Sequence, residues 1–434
     1  MLQLLFVAWY ITVRTEMHPS RTTMASSLRA SPQGLKTVDQ ARIRKGWDRQ
    51  SAAWANAAKA SVATLKRFWQ KKYIQAQFFL DICAAVGVDW QEIVDSFANE
   101  DWDEAPDVPV FYGRTEELAT LQQWIVQDRC RVVALLGMGG IGKTALAVRC
   151  VEQIKGEFEY FVWRSLTTSH WASTLRHPPS ASDLLASLLF FFHQEQDNQA
   201  TLSKLVDYLR QHRCLVVLDD LDAILDSAGE EYEGYREIIK RLGEERDLPS
   251  CLILTSQQKP KEIVLLEGKK LPVRSFLLSG LGEAAHEILN EAELTYKPQQ
   301  GLELIQMYRG NPLALKIVSQ TIKDLFGGSV VEFLRYNTIV LGDIFRDILD
   351  LQFQRLSELE KKVMHALVIY QQPIALQQLK EKISSTVSTS EIIEALDSLS
   401  RRSLIEISKE QSNVVYTLQP VVMKYVRRVY SQAL

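Results

Sequence analysis

The sequence predicts an α/β chain in which a helix-covered parallel sheet is followed by a helical subdomain and a winged helix, with a small all-α domain in front. From Phe111 onward, short β-branched or aromatic runs alternate with helical stretches. These runs are "RVVALLG", "FEYFVW", "CLVVLDD", "CLILTS" and "VRSFLL". After Gly280 the strand pattern stops, and residues 281–365 carry helical periodicity. The last segment, 355–430, predicts three helices and then a hairpin of "SLIEIS" and "NVVYTLQ", which outlines a winged helix.

The cysteines indicate a reducing compartment. The 434 residues include five cysteines, an odd number, scattered along the chain without a C-x-x-C pair. Most of them lie in or beside apolar runs, as small core residues do. We therefore predict a cytoplasmic protein without a disulfide framework or a zinc site.

The N-terminal run "MLQLLFVAWYITV" is apolar but does not have the layout of a secretion signal. No basic residue precedes its apolar core, and no small-residue cleavage site follows it. The run is also too short to span a bilayer. We expect no membrane contact, and we expect residues 1–24 to be unstructured or to precede the true start at Met24.

Charge is segregated along the first quarter of the chain, although the whole chain has a net charge of only −3. Residues 25–73 contain eleven Lys or Arg and two Asp, whereas residues 74–113 contain no Lys or Arg. Acids cluster there in "ANEDWDEAPD", with Pro106 inside this stretch and Pro109 just after it. This asymmetry predicts a basic helical domain at residues 25–98 and an acidic linker at 99–109.

Residues 36–90 resemble a repressor-like helix-turn-helix domain. In "QSAAWANAAKASVATLKRFWQ", Ala55 would pack under the turn, and Leu65 and Phe68 would face the core. Lys59 stands in the turn where glycine is usual. A row of cations would line the exposed side of the second helix: Lys66, Arg67, Lys71 and Lys72. Three interpretations remain open: a small helical interaction module with a solvated basic face, a surface that reads DNA, and a surface that meets a membrane or an acidic partner.

The stretch "GMGGIGKT" satisfies the pattern G-x-x-x-x-G-K-[ST], between one predicted strand and one predicted helix. Glycines let backbone N–H groups surround a phosphate, and the helix N-terminus adds its dipole. Lys143 would reach the β- and γ-phosphates, and Thr144 would hold Mg²⁺. The loop's candidate nucleotide-binding residues are Gly137, Met138, Gly139, Gly140, Ile141, Gly142, Lys143, Thr144 and Ala145.

A second part of the same chemistry follows the run "CLVVLDDLD". Four apolar residues predict a buried strand, and Asp219 stands at its end. In P-loop proteins a carboxylate at this place coordinates Mg²⁺. Asp220 is the candidate catalytic residue that orients the attacking water.

With their flanks, these segments resemble the NB-ARC family of signal-transduction NTPases over residues 108–430. "VFYGRTEEL" resembles the motif that wraps adenine and ribose, through Phe111 and Arg114. "FVWRSL", "CLILTSQQKP" (with Thr255 and Ser256), "VRSFLLSGLGEAAHEIL" and "GNPLAL" (with Pro312 and Leu313) resemble its later motifs, in order. The resemblance implies a five-stranded sheet at 110–280, a helical subdomain at 281–350 and a winged helix at 351–434, closing over bound ADP.

Two positions depart from the family pattern. The family's sensor strand usually ends in an arginine that reports the γ-phosphate, whereas Gln257 and Gln258 follow Thr255-Ser256 here. The winged helix usually carries Met-His-Asp, whereas the matching stretch here reads Leu418-Gln419-Pro420. The resemblance therefore favours a protein that holds ADP over one that turns ATP over steadily.

Three functions remain in view. The first is an ADP/ATP switch that self-associates on activation, and the second is an ATP-driven enzyme, which the neutral Gln257 argues against. The third is a DNA-binding regulator whose NTPase core sets its oligomeric state.

Overall fold

The computed structural model describes residues 27–72, 74–94, 99–102, 104–167, 178–193, 200–225, 230–383, 387–410 and 413–432. The chain divides into two compact units. The first is Met1–Ala98 with Pro179–Leu205, and the second is Asn99–Pro178 with Val206–Leu434. The predictions for residues 1–24 lie outside the described residues. Among the helices that are described, none is long and apolar enough to cross a membrane.

The first unit is a small helical body. Its helices are α1 (Pro32–Arg44), α2 (Ala52–Ala57), α3 (Val62–Trp69), α4 (Ala76–Val86) and α5 (Trp90–Ile93). A short antiparallel ribbon joins β1 (Ser27–Leu28) to β2 (Ile74–Gln75). Ala55, Leu65 and Phe68 are buried, as predicted. Ser61 caps α3 by accepting the Thr64 N–H, and Lys59 adopts the left-handed conformation (φ 48°) that favours glycine in such a turn.

The second unit is built on a parallel sheet, in the order β3-β5-β6-β7-β4-β8. The strands are β3 (Glu100–Asp101), β4 (Val132–Leu136), β5 (Tyr160–Ser165), β6 (Cys214–Asp219), β7 (Cys251–Ser256) and β8 (Val273–Leu277). Every residue of β4, β6 and β7 is buried, because helices cover both faces. Because β4 and β6 each pair with β7 in parallel, the carboxyl ends of these three strands meet at one edge of the sheet.

Within the described residues the sheet has six strands rather than the five implied by the resemblance. The extra strand, β3, comes from the acidic stretch predicted to be a linker, and it pairs with β5. The Trp102 ring lies 4.4 Å from the Phe161 ring, and buried Asp101 forms a 2.8 Å ion pair with Arg164. Glu104 accepts the Ser165 N–H. The acids have partners along this edge, so the stretch packs on the sheet.

Helices surround the sheet and continue beyond it. In chain order, α6 (Thr115–Gln122) and α7 (Lys143–Ile154) belong to the second unit, whereas α8 (Ala181–His193) belongs to the first unit. They are followed by α9 (Leu202–Gln211), α10 (Asp222–Leu225), α11 (Glu230–Glu244) and α12 (Lys261–Leu266). The helical region after the sheet contains α13 (Ala285–Glu291), α14 (Pro298–Met307), α15 (Pro312–Leu325), α16 (Val330–Leu334) and α17 (Gly342–Gln354).

The C-terminal region has the predicted order of three helices and a hairpin. It comprises α18 (Glu358–Tyr370), β9 (Ile374–Ala375), α19 (Leu376–Ile383), α20 (Thr389–Arg401), β10 (Ile405–Glu410), β11 (Asn413–Leu418) and α21 (Pro420–Gln432). The strands β10 and β11 pair antiparallel along their whole length. One apolar core runs from the helical region into this region, through Leu315, Leu349, Leu367 and Val426. The predicted boundary between residues 350 and 351 falls inside α17.

All five cysteines lie within the described residues and are free and buried, as core residues are. Burial raises the pKa of the Cys150 and Cys214 thiols to about 12. These side chains therefore stay protonated and act as small apolar groups.

Candidate nucleotide-binding site

The P-loop, residues 137–144, connects the end of β4 to the start of α7. Its turn depends on Gly140 and Gly142, whose φ values of 74° and 100° lie in the region that glycine favours. The first N–H groups of α7 have no acceptor one helical turn earlier, so they are available to an anion. The loop therefore has the form of a phosphate cradle.

The apolar side chains of the P-loop pack into two different cores. Met138 is buried in the core of the helical and C-terminal regions. Ile141 is buried in the core beneath the sheet. Ala145, in the first turn of α7, is half-buried. The loop is thus held from both sides, so a displacement of either core would move it.

Lys143 folds over the P-loop. Its Nζ donates to the carbonyl oxygens of Gly137 at 2.9 Å and Met138 at 3.3 Å. Burial lowers the pKa of this ammonium, while Asp222, Asp220 and Asp219 act in the opposite direction. The positive charge is therefore enclosed beside the loop, in the place where the β- and γ-phosphates are expected.

Three elements converge on the Asp219 carboxylate. Its Oδ1 accepts hydrogen bonds from the hydroxyls of Thr144 on α7, at 2.9 Å, and Thr255 on β7, at 2.6 Å. A hydroxyl and a carboxylate are oxygen ligands of the kind Mg²⁺ takes, and neighbouring ligands of an octahedral Mg²⁺ lie about 3 Å apart. The 2.9 Å between Thr144 and Asp219 fits that spacing. The Thr144 hydroxyl and the Asp219 carboxylate are therefore suited to binding a magnesium ion.

Asp220 comes directly after Asp219 with a left-handed backbone (φ 61°), and its N–H donates to Thr255 Oγ1. Burial, with the nearby charges of Asp222 and Asp219, raises the pKa of this carboxyl to about 6. A carboxyl with a raised pKa beside a phosphate cradle is a candidate acid or base.

Asp222 was missed by sequence reasoning. Its Oδ1 accepts from the Ser256 hydroxyl and the Gln258 N–H, both at 3.0 Å, and its Oδ2 accepts from the Gln257 N–H at 2.6 Å. The carboxylate thereby fixes the end of β7 against the start of α10. The available signal is the third acid of "DDLD", because only the first two acids, Asp219 and Asp220, are predicted as site residues.

Gln257 lies at the end of β7, as predicted, and faces the P-loop. A Cβ on Gly139 would lie 3.1 Å from its Oε1, and the same Oε1 accepts a hydrogen bond from Nε2 of Gln352 on α17. Its carbonyl oxygen accepts from the Ser403 hydroxyl at 3.3 Å. This position therefore connects the sheet to α17 and to the C-terminal region.

The start of α15 packs directly on the P-loop. Asn311 caps the helix through Oδ1, which accepts the Ala314 N–H, while its Nδ2 donates to the Gly139 carbonyl at 3.0 Å. The Leu313 N–H donates to the Gly140 carbonyl at 3.3 Å. Pro312 occupies the first turn, as predicted. Sequence reasoning had selected Pro312 and Leu313 and missed Asn311, although Asn before Pro is a recognisable cap signal.

Arg114 and Phe111 were expected to contact adenine and ribose. Arg114 is buried, and its guanidinium donates to the Ser279 carbonyl at 2.7 Å and the Ile141 carbonyl at 3.3 Å, besides pairing with Glu117. It thus ties the segment before α6 to the P-loop. Phe111 is half-buried, with the Arg149 guanidinium 5.9 Å from its ring centre. Their contacts with a nucleotide remain predictions.

A parallel sheet with a P-loop after one central strand and an acid at the end of a nearby strand defines a P-loop nucleotide-binding protein. Residues 114–232 match the NB-ARC domain.

Several known proteins are similar to this chain in sequence or in fold. An uncharacterized WD repeat-containing protein of Nostoc sp. is 37% identical over 93% of this chain, which spans 36% of that protein's length. The disease resistance protein RPM1 of Arabidopsis thaliana is 30% identical over 21% of this chain, corresponding to 10% of its own length. A Walker-type ATPase of Pyrococcus abyssi shares the fold, with a TM-score of 0.51 and 14% identity over 73% of this chain and 96% of its own.

Proposed function

We propose that this chain is a nucleotide-dependent switch, which binds ADP in a closed resting state and exchanges it for ATP. The observation that carries the proposal is the convergence of three regions on Gly139. The Asn311 amide bonds its carbonyl oxygen, and a Cβ on this residue would lie 2.5 Å from Ile348 Cγ2 and 3.1 Å from Gln257 Oε1. A phosphate that moves this loop acts on all three contacts at once.

In this proposal the P-loop and Lys143 hold the phosphates, while Phe111, Arg114, Pro312 and Leu313 surround the nucleoside. Thr144 and Asp219 hold Mg²⁺, which when bound offsets the negative charge of the β- and γ-phosphates. Thr255 keeps the Asp219 carboxylate in place, and Ser256 does the same for Asp222. Asp220 orients water for slow hydrolysis.

The neutral Gln257 supports a switch over a steadily cycling enzyme. A glutamine amide donates a hydrogen bond but brings no charge to a developing negative phosphate, whereas charge-assisted bonds are about twice as strong. We therefore expect ATP turnover far below the median enzyme rate of about 10 per second.

The test compares nucleotide binding by wild type, Lys143→Ala and the control Lys155→Ala. Lys155 follows α7 at its other end and pairs with Glu100, away from the loop. Titration with ADP should show binding by wild type and the control, and at least a hundred-fold loss for Lys143→Ala (about 3 kcal/mol). The wild type should also retain ADP through purification. Undiminished ADP affinity in Lys143→Ala would refute the proposal, and rapid turnover without retained ADP would favour the enzyme.

The charge distribution of the first unit favours a second candidate function, DNA binding. Lys66 and Arg67 on α3, and Lys71 and Lys72 just after it, are exposed, while Leu65 and Phe68 on the same helix are buried. A helix with one face in the core and cations on the other fits the predicted helix-turn-helix surface.

The full chain should then bind duplex DNA with an affinity that falls steeply with salt. Lys66→Gln with Arg67→Gln should weaken binding and flatten the salt dependence, whereas Lys36→Gln on α1 should change it less. Equal behaviour of both variants would leave a protein partner as the interpretation of this surface.

Self-association on ATP binding is tested by light scattering, where a constant mass with ADP and ATP would refute it.

A further inference from the structure

The structure shows a helix from outside the sheet pressed against the P-loop. A Cβ on Gly139 would lie 2.5 Å from Cγ2 of Ile348 on α17, so the loop and the helix are in direct contact. One turn later, Gln352 Nε2 donates to Gln257 Oε1. The helix therefore touches both the loop and the end of β7.

Helical periodicity places Arg355 on the same face of this helix. Ile348, Gln352 and Arg355 are separated by four and then three residues, which is the spacing of neighbours on one side of a helix. Arg355 is the C-cap residue of α17, its N–H donates to the Gln352 carbonyl at 3.3 Å, and its side chain is half-buried. The face that meets the P-loop thus ends in a guanidinium.

The spacing along α17 relates Arg355 to the end of β7. Gln352, three residues earlier on the same face of the helix, contacts the Gln257 side chain, at the position where the family usually has the arginine that reports the γ-phosphate. Arg355 therefore lies about one helical turn from that contact, and it brings a guanidinium to the face of α17 that meets the site.

We propose that Arg355 is the γ-phosphate-reading cation of this protein, supplied by α17 instead of by the end of β7. The inference rests on the proposed nucleotide switch. Gln257, which stands where an arginine was expected, instead positions the helix through its bond to Gln352. Because α17 leads directly into α18 of the C-terminal region, a phosphate that draws Arg355 toward the loop also moves that region.

The experiment measures affinities for ADP and for a slowly hydrolysed ATP analogue, both with Mg²⁺. Arg355→Gln should lower ATP-analogue affinity at least ten-fold and ADP affinity less than about three-fold, since a bond to a charged group is lost with one nucleotide only. Arg355→Lys should keep part of the preference. Arg346→Gln is the matched control, because Arg346 pairs with Asp343 and lies nine residues away, on the opposite side of α17.

A double variant separates sensing from a structural role. Adding Gln257→Arg to Arg355→Gln returns a guanidinium from the other wall of the site, so the ATP preference should recover. A residue that only supported the fold would not be replaced in this way. Equal losses for both nucleotides, an unchanged ratio, or no recovery in the double variant would overturn the proposal. If wild type binds neither nucleotide, or Lys143→Ala binds both normally, the proposed function itself fails.

Discussion

Asn311 offers the sharpest test of the contact between the helical region and the P-loop, because its two amide atoms have separate partners. Oδ1 caps α15 by accepting the Ala314 N–H, and Nδ2 donates to the Gly139 carbonyl. The side chain is buried, with 1% of its surface exposed. Removing it should therefore cost both a helix cap and a buried hydrogen bond.

The magnitude follows from these two terms. Loss of an asparagine cap costs about 1 kcal/mol, and a buried carbonyl left without its donor costs about 1–3 kcal/mol. Asn311→Ala should thus lower the free energy of unfolding by about 2–4 kcal/mol. Asn311→Asp keeps the capping oxygen but has no N–H to donate, so it should lose only the second term. Its carboxylate should also repel phosphate and weaken ADP binding more than alanine does.

The assay is denaturant unfolding followed by ADP titration of each variant. Ser329→Ala is the control, because Ser329 caps α16 by accepting the Glu332 N–H in the same region. It should cost at most about 1 kcal/mol and leave ADP affinity unchanged. If Asn311→Asp were as stable as wild type, or if Asn311→Ala and Ser329→Ala behaved alike in both assays, the bond to Gly139 would have no energetic role.

Three further predictions concern other parts of the second unit. Gln257→Arg should shift the ATP-to-ADP affinity ratio about ten-fold toward ATP, and an unchanged ratio would show that the end of β7 does not face the γ-phosphate. In nucleotide-free protein with EDTA, the raised pKa of Asp220 means that the folded state binds a proton more tightly than the unfolded state. The unfavourable contribution of Asp220 to folding should grow as the pH rises from about 4 to about 6. Asp220→Asn should therefore gain about 1–3 kcal/mol of stability relative to wild type between pH 4 and pH 7. A difference in stability that does not depend on pH would contradict the raised pKa. Asp101→Ala should cost about 3–5 kcal/mol because it removes one partner of the buried ion pair with Arg164, whereas exposed Asp107→Ala should be neutral in the same unfolding measurement.

The P-loop and the end of β6 were predictable because their chemistry is local. Eight residues with four glycines make the loop, and a run of apolar residues followed by an acid makes a buried strand with a carboxylate at its end. Since carboxyl ends of parallel strands meet at one edge, the sequence also predicts that Asp219 and Thr255 lie close to Lys143. The observed bond between Thr255 and Asp219 agrees with that expectation.

The contacts from the helical and C-terminal regions were not predictable in the same way. Asn311 lies 172 residues from Gly139 along the chain, and Gln352 lies 95 residues from Gln257. Helical periodicity shows which face of a helix is apolar, but it does not name the partner of that face. A polar residue on such a face, such as Gln352, looks in sequence like a residue that faces solvent.

The strand β3 was missed for a different reason. Glu and Asp rarely occur in strands, and the surrounding acids are typical of a solvated linker. The strand forms because neighbouring side chains anchor it: the Trp102 ring on Phe161, and the Asp101 carboxylate on Arg164. A strand that is stabilised by side-chain contacts with distant residues cannot be predicted from the strand propensity of its own sequence.

The strength of the contacts that hold α15 and α17 against the P-loop and the end of β7 determines how the switch must work. The hydrogen bonds from Asn311 and Leu313 and the pair between Gln257 and Gln352 contribute about 1 kcal/mol each. Shifting a two-state protein from 1:99 to 99:1 requires about 5.5 kcal/mol of differential binding. One charge-assisted bond to a γ-phosphate supplies about 1.5–3 kcal/mol, so ATP alone should only partly populate an open state. The remainder must come from a second interaction that favours the open arrangement, such as self-association or a partner, and opening should therefore depend on protein or partner concentration as well as on the nucleotide.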